Sequence, residues 1–159
     1  MVDYYAKKQS HVVRSTWGAE LQQLSDGVDN LLVLHGFFHE VKHGVSSSRL
    51  LRDLVDRGST DELPAMPMHA CIDAHSVFAA ITADVIGMPA ERHTLYHAQW
   101  VRELLDAGTI NALWWIDTRD CCPDGLTKGS VPRDAILEIM RGRWILQHPC
   151  KRWPTLRST

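Results

Sequence analysis

INALWWI, residues 110–116, is a near-continuous apolar run of the kind that forms a strand buried on both faces. Working outward from it, a second short buried strand reads through Cys71, Ile72 and Asp73. Between the two lie helical patterns. The first carries Val77, Phe78, Ile81 and Val85 and is broken by Gly87, Met88 and Pro89. The second runs from about Ala90 to Ala107, turns Leu95, Trp100, Val101, Leu104 and Leu105 inward, and stops at Gly108. Two buried strands joined through helices imply a parallel pair with a right-handed crossover. The expectation is therefore an α/β fold.

Further out, Ser15 or Thr16 is a good N-cap for a long amphipathic helix. Trp17, Leu21, Leu24, Val28, Leu31 and Phe38 recur on it at steps of three, four and seven residues. Its end falls near Val41, where Lys42 and His43 suit the negative end of the helix dipole and Gly44 serves as the C-cap glycine. Residues 1–14 suit a strand and a turn. Ser46 to Ser48 precede a short helix with Leu50, Leu51, Leu54 and Val55 that Gly58 stops, and Ser59 to Pro67 reads as a surface loop. Beyond the second strand, one helix is expected to start near Asp124. Another, with Pro132 in its first turn, passes through Ile136, Leu137, Ile139 and Met140. The segment from Trp144, with Pro149 and Pro154, reads as a weakly ordered tail.

At 159 residues, with 45% hydrophobic and 23% charged side chains, the chain is long enough for one domain with a sizeable core. No run approaches a membrane span, and MVDYYAKKQS lacks the apolar core of a signal peptide. An intracellular protein, cytoplasmic or nuclear, is expected. Cys121 and Cys122 are adjacent, Cys71 and Cys150 isolated, so no CxxC pair suggests zinc or redox chemistry and free thiols are expected. The net charge of −2 is not that of a pure polyanion binder. From Arg133 onward, however, six basic residues stand against two acidic ones, which reads equally as a nucleic-acid contact or as a solvated tail.

Three carboxylates stand out. Glu20 is not at the capping-box position of the first helix. It borders the apolar stripe, where a carboxylate is paired, bound to a metal, or reaches solvent while complementing the helix dipole. Asp73 ends an apolar strand, at the edge where ligands of open α/β sheets gather, and also suits an N-cap for the next helix. Asp124, between Pro123 and Gly125, has the chemistry of a turn; Asp117 and Asp120 lie close by and compete with it for any ligand role. His93 and His97 have the spacing of a zinc helix but no following glutamate and no evident third ligand.

Longer stretches around these carboxylates carry a resemblance. KKQSHVVRSTWGAEL, residues 7–21, is similar to the K-K-Q-x-x-V-x-x-S-S-T-E-A-E-Y segment of the ribonuclease H domain in copia-type retrotransposon polyproteins. CIDAHSVFAAI, residues 71–81, resembles that domain's D-S-x-S-x-x-x-x-I, and WWIDTRDCCPDGLTK, residues 114–128, its I-x-x-V-P-T-x-x-Q-x-A-D-x-L-T-K. RLLRDLVDRG and HAQWVREL look like two further helices of the family, and all these segments occur in the family's order. Only the second of the family's two early glutamates is present here, as Glu20.

The resemblance implies a ribonuclease H-like mixed sheet flanked by helices, here lacking the first two strands. Residues 1–143 would form a partial domain and residues 144–159 a basic tail. It implies Glu20, Asp73 and Asp124 as catalytic, metal-holding residues for two Mg²⁺ ions that hydrolyse the RNA strand of an RNA/DNA hybrid. Lys128 is a candidate phosphate contact. The family's first Asp lies on a central strand upstream of KKQ, in continuity with a reverse transcriptase segment. Without that Asp the chain is expected to be inactive, and the uncovered edge of residues 68–73 to favour association. The alternative is a domesticated, non-catalytic remnant that binds nucleic acid or a protein partner through its basic C-terminus.

Overall fold

The computed structural model describes residues 15–44, 67–122, 134–143 and 145–154. Within them the chain is mixed α/β, with a small three-stranded mixed sheet flanked by helices. The expected strand and turn over residues 1–14, the short helix through Leu50, the helix start near Asp124, Lys128 and Pro132 all lie outside the described residues.

The first helix, α1 (Thr16–His43), starts where the capping chemistry places it. Ser15 has extended backbone angles, and its hydroxyl oxygen accepts the Gly18 N–H at 3.1 Å while its O–H donates to Glu91 at 2.7 Å. One side chain thus satisfies a free helix amide and ties the helix to the turn ahead of a later one. The other end closes at Gly44, whose φ of +87° is left-handed and whose N–H returns to the Glu40 carbonyl at 2.8 Å.

Strand β1 (His69–Ile72) pairs parallel with strand β2 (Ala112–Trp115), His69 opposite Ala112 and Ile72 opposite Trp115. The register is locked at both ends. Asn111 accepts the Met68 N–H through its side chain at 2.7 Å and returns its own N–H to the Met68 carbonyl at 2.8 Å; Ile116 N–H reaches the Ile72 carbonyl at 3.0 Å. Helices α2 (His75–Thr82) and α3 (Thr94–Asp106) lie in the connection, as a parallel pair requires. Val85, expected on a helix, is past the end of α2 and 81% exposed.

The core gathers Leu21, Leu24 and Val28 of α1, Ala70 and Ile72 of β1, Val77, Phe78 and Ile81 of α2, Ala98, Val101 and Leu105 of α3, and Leu113 of β2. Several are fully buried, each worth about 2 kcal/mol relative to exposure. Arg102 binds three elements together. Its Nη1 donates to the Ile81 and Ala83 carbonyls at 2.7 and 2.9 Å, capping α2, and its guanidinium lies 4.3 Å from the centre of the Trp153 ring.

Trp153 belongs to the main departure from the sequence reading. The segment expected to be a weakly ordered tail contains a strand, β3 (Lys151–Pro154), paired antiparallel with β2 so that the sheet order is β1-β2-β3. Among the described residues β1 and β3 are the two edges. Pro154 is tolerated because an edge strand can lack one N–H, and it ends the strand. Helix α4 (Asp134–Met140) precedes β3, with Ile136 buried and Leu137 and Met140 exposed.

Candidate functional site

The C-terminal ends of the parallel strands β1 and β2 form one rim of the sheet, and most of the chemistry lies along it. Asp73 follows directly on β1 and is half-buried. It does not cap α2: the cap position is taken by Ala74, and the helix has no side-chain cap, so the N-cap reading of Asp73 is corrected. Its backbone carbonyl accepts the Trp115 indole N–H at 2.9 Å, which fixes the end of β1 to β2. The carboxylate makes no hydrogen bond or ion pair with the described residues.

Glu20 is at the fifth position of α1, half-buried beside the fully buried Leu21. No acidic residue stands in the first turn of the helix, which removes the dipole explanation for it. Helix α1 packs on both β1 and α3. Asp124 lies outside the described residues, so two of the three predicted carboxylates are placed. Among the described residues no three His, Cys, Asp or Glu side chains gather to hold a metal ion.

The two competitors of Asp124 have structural duties. Asp117 opens the 3-10 turn Thr118–Asp120, accepting the Arg119 N–H at 3.0 Å and pairing with its guanidinium at 2.8 and 2.9 Å. The side-chain bond from Arg119 holds the Asp117 carboxyl well below the usual range. Asp120 is buried, and one oxygen accepts the N–H groups of Gln147 and His148 at 3.1 and 2.9 Å while the other meets the His148 ring at 3.0 Å. Burial pushes its carboxyl up, but the bonds from the His148 ring and from the two amides outweigh it and the net shift is downward. This carboxylate clamps the chain leading into β3.

Beside Asp73, His75 stands edge-on to Trp115, ring centres 5.2 Å apart, and its Nε2 lies 3.0 Å from the Lys151 ammonium. The strand that brings Lys151 to His75 lies in the segment read from sequence as a weakly ordered tail. On the opposite face of the sheet His69 lies 6.1 Å from Trp114, which in turn carries the Arg152 guanidinium at 5.6 Å. Burial, and then Arg152, lower the pKa of His69.

The remaining candidates resolve into packing. His97 Nδ1 lies 3.0 Å from the Ser25 hydroxyl, and His93 faces Glu91 at 3.8 Å, so the i, i+4 pair is divided between two partners and forms no zinc helix. Ser25, Asp29, Tyr96, His97 and Trp100 line a shallow open groove of about 330 Å³ between α1 and α3. The four cysteines are free; Cys71 is exposed at the residue level, and desolvation of its thiol, then Cys122, pushes its pKa up. No described helix is long and apolar enough to cross a membrane. No family model, curated protein or solved structure matches this chain.

Proposed function

We propose that residues 1–159 belong to a ribonuclease H-like domain of a copia-type retrotransposon polyprotein, which hydrolyses the RNA strand of an RNA/DNA hybrid. The observation that carries this reading is the Asp73 carboxylate. It stands half-buried at the C-terminal end of a strand in a parallel pair, without a hydrogen-bonding or ionic partner among the described residues. A carboxylate at the carboxyl end of a strand that no protein donor saturates is free to take a cation.

The fit to Mg²⁺ is partial among the described residues. Asp73 has the chemistry of a ligand and Glu20 borders the core on a helix packed against the same strand. With Asp124, these would hold the ions, and bound Mg²⁺ would neutralise the charge developing at the attacked phosphate. Trp115 keeps Asp73 in place through the backbone bond, and Asp117 and Asp120, already paired, are left out of the ligand set.

Three of the family's four carboxylates leave this stretch inactive alone. The test is cleavage of a labelled hybrid in Mg²⁺, by the chain alone and in the presence of the upstream reverse transcriptase segment bearing the family's first Asp. Cleavage only in the second case, abolished by Asp73→Asn, is expected. Absence of cleavage in both defeats the reading. A second reading, a domesticated remnant that binds without catalysis, is favoured by one observation: the exposed Lys151 and Arg152 on the sheet's edge. Binding that survives Asp73→Asn, without any cleavage, would select it.

A further inference from the structure

The C-terminal basic residues are built into the sheet at a defined place. Lys151 and Arg152 are adjacent on β3, so their side chains leave opposite faces of an edge strand. Each lies over a tryptophan of β2, Lys151 with its ammonium 5.9 Å from the Trp115 ring centre and Arg152 at 5.6 Å from that of Trp114. A histidine adjoins each tryptophan, His75 on one face, where it also meets Lys151 at 3.0 Å, and His69 on the other. A histidine, a tryptophan and a cation are thus grouped on both sides of the edge.

Four other cations among the described residues are neutralised by carboxylates. Arg102 pairs with Asp106, Arg119 with Asp117, and Arg141 and Arg143 with Glu138. Lys151 and Arg152 have no carboxylate partner among the described residues, and both are exposed. The tryptophan faces restrain the side chains without neutralising their charge. Two uncompensated, restrained cations flanking the outward N–H groups of an edge strand form a surface complementary to a run of negative groups.

We infer that the β3 edge binds the phosphodiester backbone of a nucleic acid, with Lys151 and Arg152 each contacting a phosphate. The Lys151 end of this edge adjoins His75, two residues beyond Asp73, so the edge leads to the strand end where the proposed function places its chemistry. The inference deepens that reading and rests on it for the choice of an RNA/DNA hybrid as the nucleic acid. Its recognition is by charge and backbone, without base readout.

The experiment is fluorescence anisotropy of the full chain with a labelled RNA/DNA hybrid across a salt series, in the absence of Mg²⁺. Lys151→Gln and Arg152→Gln should each weaken binding and lower the salt slope by about 1. The paired exchange Lys151→Arg with Arg152→Lys should restore both, and Arg141→Ala, already neutralised by Glu138, should change neither. A slope unchanged in the double Gln variant overturns the inference. So does a wild-type chain that binds poly-glutamate as tightly as the hybrid. Thermal melts of every variant identify loss of fold, and in that event the charge-conserving exchange decides: a folded exchange variant without wild-type slope overturns the inference as well. Because cleavage is not read, a failure here leaves the catalytic reading to its own Asp73→Asn test.

Discussion

Asp73 and Asp120 follow neighbouring parallel strands and differ in almost everything else. Asp120 sits in the turn after β2, is buried, and receives the Gln147 and His148 amides and the His148 ring. Asp73 follows β1 directly, is half-buried, and its carboxylate meets no polar partner among the described residues. The same side chain is a structural clamp in one position and a carboxylate without a protein donor in the other. Saturation by the protein's own donors, more than position on the rim, decides which.

The largest test of this contrast is removal of the clamp. Asp120→Ala leaves the Gln147 and His148 amides without their acceptor and frees the approach to β3, and should cost about 3 kcal/mol in urea unfolding. Asp73→Ala should cost less than about 0.5 kcal/mol. Equal losses would erase the distinction. A His148→Ala partner variant completes the cycle; coupling with Asp120 should be measurable and coupling with Asp73 absent.

Acid separates the same regions by pH. His35 and His39 are buried and both lowered from 6.5, first by that burial, so the unfolded chain binds their protons more readily. Their contribution to stability is complete above 6.5 and lost as pH falls below it. Asp120 is lowered from 3.8, so its contribution is present above 3.8 and lost as pH falls through its lower folded value. Two acid phases of destabilisation are expected in a melting series, and Asp120→Asn should shrink the lower one, to which Asp117 also contributes, while leaving the histidine phase intact.

Much of the scaffold around Asp73 was legible because its signals are local. Ser15 and Gly44 delimit α1 by capping chemistry within a turn of each end, and the apolar runs at Cys71 and Leu113 announce a parallel pair. The clamp and β3 were not legible. KRWP has no apolar alternation, is bounded by prolines, and is held by Asp120 and by Arg102 under Trp153, partners distant in sequence. Asp120 read as a competitor of Asp124 for a ligand role because its partner is 28 residues away. The N-cap alternative for Asp73 failed for a local reason, since the helix begins one residue late and Ala74 takes the cap.

Helix capping offers a smaller test of the Glu20 arm. Ser15→Ala removes the acceptor for Gly18 and the donor to Glu91, and should cost about 1 kcal/mol. Ser15→Asp keeps the cap but sets a carboxylate against Glu91, and should recover only part of it. If Glu20 depends on the α1 terminus for its position, Ser15→Ala should also weaken any Mg²⁺ effect on melting.

The smallest expected change in stability is the most informative about function. Asp73→Asn keeps the shape of the side chain and, with no partner to lose, should leave the melting temperature in metal-free buffer unaltered within error. A ligand that binds the folded form alone raises stability with its concentration, so under the proposed function Mg²⁺ or Mn²⁺ should raise the melting temperature of the wild type mixed with a reverse transcriptase segment bearing the family's first Asp, and raise that of the Asn variant less. The same titration on Asp120→Asn should show the full metal response on a lower baseline. A metal response lost with Asp120 and kept without Asp73 would invert the comparison and place the ligand role on the buried carboxylate.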